Sequence, residues 1–276
     1  MTVRAPHPRQ ASVARTEADA ALISWHRGTA SPQSVVGPLS RVATTAADHA
    51  NLGVVLRATG DDGKAERAYR RAIALDPGFA PAHCNLGNLL ADAGRLDAAA
   101  DAYRDAITHT PDYAQAWNGL GIVQQRKSDL PAAEQAFREA ARYAPGWAEP
   151  HINLGVALLG LERYEAARLA YQAALAADPN YAAAHGNLSA LMLRAGHPIA
   201  AETAARQAID RAPGEHRWLS NLAVALQMQA RHTEAEACYR QALALRPDYA
   251  GGHGNLLFAL NYRDDLSPDA IFAEYT

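Results

Sequence analysis

The chain has 276 residues, 49% of them hydrophobic, with 26 Lys and Arg set against 29 Asp and Glu for a net charge of −3. That balance supplies no basic stripe of the kind that holds nucleic-acid phosphates, and no apolar run approaches the roughly 20 residues that span a bilayer. Length alone would admit an ordinary two-domain globule, but the order of the residues says otherwise.

Residues 1–40 follow no period and are read as an N-terminal arm, partly disordered. MTVRAPHPRQ is basic and contains proline but lacks the apolar segment of a secretory signal. RTEADAALISWHR, residues 15–27, predicts one short amphipathic helix, and GTASPQSVVGP, residues 28–38, predicts a loop or linker.

From residue 46 a 34-residue period takes over. Pro77, Pro111, Pro145, Pro179, Pro213 and Pro247 recur in register, as do Leu52, Leu86, Leu120, Leu154, Leu188, Leu222 and Leu256. An alanine column runs from Ala65 to Ala235, and an aromatic column (Tyr69, Tyr103, Phe137, Tyr171, Tyr239) breaks only at Ala205. Each period holds two apolar patterns of helical spacing. In residues 80–113, Leu86, Leu89 and Leu90 share one face, and Ala99, Ala102, Tyr103, Ala106 and Ile107 share the next. Gly94 between them permits the left-handed residue that ends a helix. Pro111 disfavours helical geometry at Thr110 and stops the second helix. The small columns predict close helix approach, and the aromatic column is expected to fill the space between neighbouring repeats.

The pattern NLG…A…Y…A…P, as in NLGVVLRATGDDGKAERAYRRAIALDP, resembles the tetratricopeptide repeat. Full repeats fall at about 46–79, 80–113, 114–147, 148–181, 182–215 and 216–249. Residues 250–276 then hold a seventh first helix, at about 250–261, and the start of a junction helix. The resemblance implies an all-α fold, a right-handed α-solenoid or superhelix of antiparallel helix pairs, with the first helix of each pair lining the concave side. In such an array each unit buries its core only against its neighbours.

One polar column stands out: Asn51, Asn85, Asn153, Asn187, Asn221 and Asn255, broken only at Gly119. Asparagine is a mediocre helix former, so its recurrence inside helices asks for a reason. Its amide carries both donors and an acceptor, the complement of a peptide unit. Helix layers about 8–10 Å apart and an extended chain rising about 3.3 Å per residue would let each asparagine meet about every third residue of a bound peptide. Those six and Asn118, beside Gly119, are the candidate peptide-binding residues. The alternative is that each asparagine bonds a neighbouring helix and only fixes the stacking; the two roles are compatible.

Other columns point to less. The positions before the asparagines (Ala50, Cys84, Asn118, Ile152, Gly186, Ser220 and Gly254) include no cation, which disfavours a clamp for peptide carboxylates. His49, His83, His151, His185 and His253 share a column with Trp117. A metal needs imidazoles about 2 Å from one ion, so these are read as packing and hydrogen-bonding groups, with no metal and no cofactor. Cys84 and Cys238 lie in distant repeats, which suits a reducing, cytoplasmic compartment. Cys84 is read mainly as a small packed residue. No phosphate-binding glycine loop, CxxC pair or HExxH helix is present, so no catalytic residue is assigned.

In the tail, Ser267, Pro268 and Asp269 predict a helix start, with Ile271, Phe272 and Tyr275 on its apolar face. LLFALNYRDDLSPDAIFAEY is similar to the junction of bacterial O-linked N-acetylglucosamine transferase-like proteins, related to the plant SPINDLY proteins. There the repeats run into a UDP-sugar-dependent glycosyltransferase domain. That resemblance implies that the asparagine ladder contacts protein substrates. The expected function is a protein-interaction module binding an extended protein or peptide segment, and the chain itself is not expected to be an enzyme. The alternative is the substrate-recognition arm of a glycosyltransferase whose catalytic domain lies elsewhere. Self-association through an uncapped last helix is a further expectation.

Overall fold

In a computed structural model, the backbone is described for residues 8–263 and the side chains for residues 13–263. Among the described residues all regular structure is helical. The chain divides into two compact units at Tyr143 and Ala144. In the first, α1 (Pro8–His26) pairs with α2 (Pro32–Val42), and three further pairs follow: α3 (Ala46–Ala58) with α4 (Asp62–Leu75), α5 (Ala80–Asp92) with α6 (Leu96–His109), and α7 (Ala114–Arg126) with α8 (Leu130–Tyr143). The second unit holds α9 (Ala148–Gly160) with α10 (Tyr164–Ala177), α11 (Ala182–Arg194) with α12 (Pro198–Arg211), and α13 (His216–Gln227) with α14 (His232–Leu245), then α15 (Ala250–Leu260).

The proline column makes the turn between pairs. The residue before each proline caps the second helix, as Asp76, Thr110, Asp178, Ala212 and Arg246 do, and donates its N–H to the carbonyl of a buried alanine four residues earlier, Ala72, Ala106, Ala174, Ala208 and Ala242. Its own carbonyl accepts from the residue three further on, Phe79 N–H to Asp76 O for example, so proline fills the second position of a β-turn. The turn inside each pair has a different device. Gly60, Gly94, Ser128, Glu162, Gly196 and Ala230 all take positive φ, and the following N–H reaches back over the helix end, as Arg95 does to Leu90 O. Glycine was the expected residue at this position; Ser128, Glu162 and Ala230 hold the same geometry without it.

The aromatic column sits inside each pair as well as between pairs. A Cβ on Gly53, Gly87, Gly121 or Gly155 would fall closer than 3.0 Å to the ring of Tyr69, Tyr103, Phe137 or Tyr171 on the second helix of the same pair. Where Ala205 replaces the aromatic, the first helix carries Ser189 in place of glycine, and its hydroxyl donates to Ala201 O at 2.9 Å. Trp218 likewise replaces a small residue, and its ring lies over Gly186 of the preceding first helix.

Residues 28–38 are a correction. Most of that segment is α2, which runs through Pro38 and buries Val35 and Leu39 against the first-unit core. Ser31 precedes Pro32 at the first helical position, a strong start that the turn-forming residues around it masked. Within the described residues, the arm is a helix pair. Arg15 ties it down through a bidentate contact to Asp48 at 2.5 and 2.9 Å. Asp48 also accepts from the N–H groups of Thr44 and Thr45, closing a capping box at the start of α3. The Arg15 guanidinium, helped by those two N–H groups against the opposing effect of burial, holds the Asp48 carboxyl well below the usual range. The expected helix start at Ser267–Pro268, with Ile271, Phe272 and Tyr275, lies outside the described residues.

Candidate peptide-binding face

The first helices α3, α5, α7, α9, α11, α13 and α15 carry the asparagine column. In the first unit Asn51 is exposed and Asn85 half-buried, while Ala50, Leu52, Cys84 and Leu86 beside them are buried. In the second unit Asn153, Asn187, Asn221 and Asn255 are all half-buried; Ile152, Leu154, Ser220, Leu222 and Leu256 around them are buried. Asn118 differs from the rest. Its side chain is only 4% exposed, so it faces the interior between helices and does not share a surface with the others. At the break, a Cβ on Gly119 would come closer than 3.0 Å to the Tyr103 ring, whose hydroxyl donates to Asn88 Oδ1 at 2.6 Å.

One asparagine bonds across the stack. Asn221 Nδ2 donates to Gly186 O at 3.1 Å, linking α13 to α11. The amide therefore helps to register successive first helices, and its orientation is fixed by that bond.

The histidine column has a specific task. His83, His151, His185 and His253 each place Nε2 against the carbonyl of the proline six residues earlier, Pro77, Pro145, Pro179 and Pro247, at 2.8, 3.2, 3.1 and 2.8 Å. Trp117 does the same with its indole N–H on Pro111 O at 2.8 Å. An indole nitrogen only donates, so the histidines that share the column act through a protonated Nε2. The ring nitrogen closes the turn whose carbonyl the second helix leaves unpaired. Among the described residues no group of three or more His, Cys, Asp or Glu is placed to hold a metal ion.

Cations at the ends of the first helices are engaged. Arg57 pairs with Asp92, Arg126 Nη1 donates to Ala91 O at 2.6 Å, and Arg194 donates to the Tyr164 hydroxyl at 2.9 Å. Between second-helix starts, Glu66 accepts from Arg95, and Glu202 from Arg231 and Gln229. Burial opposes ionisation of Glu202, but hydrogen bonds from Gln229, Arg206 and Arg231 outweigh it and hold the carboxyl below its usual range. Sequence reading missed these ties, although Glu66 and Glu202 do share a register, as do Arg95 and Arg231. Cys84 is 5% exposed, and burial pushes its thiol up to about 12, which leaves it inert at neutral pH.

The helix pairs in 34-residue register define a class, an all-α repeat array. Tetratricopeptide repeat profiles match residues 84–150 and, with a second profile, residues 46–79, 148–181 and 216–249. The chain belongs to the tetratricopeptide repeat family. No curated protein matches it. Among solved structures it is similar to YrrB, described as a TPR protein with an unusual peptide-binding site, at 22% identity over 71% of this chain and 99% of that one, with a TM-score of 0.58. It is also similar to a chain of the APC/C hetero-tetramer Cut9–Hcn1, at 18% identity over 83% and 45% of the two chains and a TM-score of 0.70. PilF of Pseudomonas aeruginosa matches at 18% identity, 79% and 97% coverage and a TM-score of 0.69. At such identities the likeness is one of fold. Tetratricopeptide arrays are in general protein-interaction modules and not catalysts. No helix among the described residues is long and apolar enough to cross a membrane.

Proposed function

We propose that the array binds an extended protein or peptide segment along the asparagine-bearing face of its first helices. The observation that supports this most is the contrast within each first helix. Asparagines 51, 85, 153, 187, 221 and 255 keep solvent access where their flanking neighbours are mostly buried. An amide reached by solvent can exchange its water for a backbone C=O and N–H of a ligand at little cost, since both partners stay satisfied. Asn221, held by Gly186, offers an amide oriented in advance, which lowers the entropy lost on binding. The segment would be read mainly by its backbone.

The test is selection of peptides from a random display library on the wild-type chain, followed by affinity measurement on Asn187→Ala with Asn255→Ala. Loss of about tenfold or more in affinity is expected, at unchanged helicity by circular dichroism. Undiminished affinity would refute the ladder.

A second reading, the substrate-recognition arm of a protein glycosyltransferase, is supported by the sequence of residues 256–275 alone. It predicts a nucleotide-sugar-dependent transferase domain encoded downstream of codon 276 or in an adjacent gene, and sequencing that finds none would dispose of it.

A further inference from the structure

The last first helix departs from the pattern of its predecessors, and the departures converge. Within the second unit the positions in register with Phe258 are Val156, Ala190 and Val224, and those in register with Tyr262 are Gly160, Arg194 and Met228. Together with His232 at the start of α14, Val224, Met228, Phe258 and Tyr262 wall a pocket of about 380 Å³ inside the second unit. That volume lies within the roughly 300–1,000 Å³ of ordinary ligand pockets.

Its chemistry is narrow. The Tyr262 ring stacks on the His232 imidazole at 5.6 Å with 12° between planes, and Phe258 meets Tyr262 at 5.0 Å and 59°. These rings form an aromatic corner with one open side. Phe258, Tyr262 and Met228 remain 54%, 53% and 48% exposed, a costly arrangement for large apolar groups in contact with one another. Among the described residues no lysine or arginine lines the pocket, so nothing there would offset the desolvation of a carboxylate or phosphate. A neutral apolar occupant complements these walls, and an aromatic ring can add edge or offset contacts with them.

Polar groups at the rim specify the rest. Asn255, the last of the asparagine column, lines the same pocket. Gln227 also lines it, and its Oε1 accepts from the Tyr239 hydroxyl at 3.1 Å, which orients the carboxamide so that its N–H₂ is left to donate. One amide with both functions and one N–H₂ donor match the backbone unit that would flank an inserted side chain.

From this we infer that the pocket is a specificity site for one uncharged aromatic side chain of a bound partner peptide, with Phe258 and Tyr262 gripping the ring and Asn255 and Gln227 engaging the adjoining backbone. The inference rests on the peptide-binding reading and adds a sequence preference to it.

Random-peptide display on the full chain tests both at separate points. Selected peptides are expected to share one Phe, Tyr or Trp, and Phe258→Glu is expected to weaken them about tenfold or more, the loss of one buried aromatic contact. Leu169→Ala, an exposed side chain on the second helix α10, is expected to change their affinity less than about twofold. Phe258 is more than half exposed, so its replacement leaves the fold intact, checked by helicity. Peptides selected without an aromatic preference, or unaffected by Phe258→Glu, would overturn the pocket while leaving the asparagine face standing. No selected peptide at all would overturn both. A wild-type chain that sediments as a dimer and becomes monomeric with Phe258→Glu would reassign the pocket to a second copy. A consensus matching the chain's own AIFAEY, residues 270–275, would reassign it to that segment.

Discussion

Gly155 offers a test in which two physical effects predict opposite signs. In an isolated helix, replacing an interior glycine by alanine stabilises by about 0.5–1 kcal/mol, because the freer glycine backbone loses more entropy on folding. In this structure a Cβ at Gly155 would approach three carbons of the Tyr171 ring closer than 3.0 Å, well inside the roughly 3.5–4.0 Å of a good carbon contact. Tyr171 is fully buried, so the ring cannot move aside without displacing others. Overpacking of this kind costs about 1–3 kcal/mol, and the net expectation for Gly155→Ala is a loss of about 1–2 kcal/mol. Gly254 is the control: it too lies inside a first helix of the second unit, but it is exposed, and a methyl group there would meet nothing within 4 Å. Gly254→Ala should stabilise by about 0.5–1 kcal/mol. Urea unfolding followed by circular dichroism gives the sign. Hydrogen exchange in α9 and α10 localises it, since repeat arrays need not unfold in one step. The Ser189–Ala205 pair suggests a second arm. Gly155→Ser with Tyr171→Ala should be less damaging than the sum of the single changes by about 1 kcal/mol or more. Equal signs for Gly155→Ala and Gly254→Ala, or strict additivity in the cycle, would refute the claim that the Tyr171 ring excludes a side chain at Gly155.

Asp48→Asn should lower stability by about 1–2 kcal/mol, discounted because Arg15 keeps substantial solvent contact, and should selectively speed hydrogen exchange in α1. The Asp48 carboxyl lies below its ordinary 3.8, so the unfolded chain takes up this proton first. The contribution is whole above about pH 5 and is lost progressively as pH falls below about 4; the variant should show a shallower loss of stability below about pH 4, and an unchanged slope there would contradict the pairing. Trp117→His should cost less than Trp117→Phe, which removes the donor to Pro111 O and loses about 0.5–1.5 kcal/mol, measured by thermal or urea unfolding. Ala230 holds a φ of 59°, so Ala230→Gly should stabilise by about 1 kcal/mol and Gly94→Ala should destabilise by a similar amount; the reverse order in unfolding midpoints would show that the turn is not strained.

The 34-residue columns made the helix pairs and their turns legible because periodicity identifies equivalent positions. It does not say which positions touch. The contacts that hold this array join different columns: His83 to Pro77, Gly155 to Tyr171, Arg95 to Glu66, Asn221 to Gly186. A single helix pattern cannot reveal them, since each crosses a turn or a layer. The N-terminal pair was illegible for a different reason. With no repeat to give it a phase, Gly28, Pro32 and Pro38 read as loop chemistry, although Pro32 starts a helix and Pro38 is carried within it.

There is nevertheless a signal in the breaks. Ala205 departs from the aromatic column in the same repeat where Ser189 departs from the glycine column, and the two positions are in contact elsewhere in the array. Trp218 is large where its counterparts are small, and Gly186 beneath it is small in turn. Trp117 replaces histidine while keeping the one feature the site uses, a ring N–H. Columns that break together mark packing partners, because a change in one volume presses on its neighbour, although Ala223 stands in the glycine register of a repeat that keeps its ring, Tyr239. The asparagine column breaks once, at Gly119, which lies against the Tyr103 ring, yet Asn85, Asn187 and Asn255 stand in the same register to Tyr69, Tyr171 and Tyr239. A tyrosine in that register therefore does not by itself exclude asparagine, and solvent reaches the asparagines that stand there. Asn221 shows that such an amide can serve the stack while solvent still reaches it.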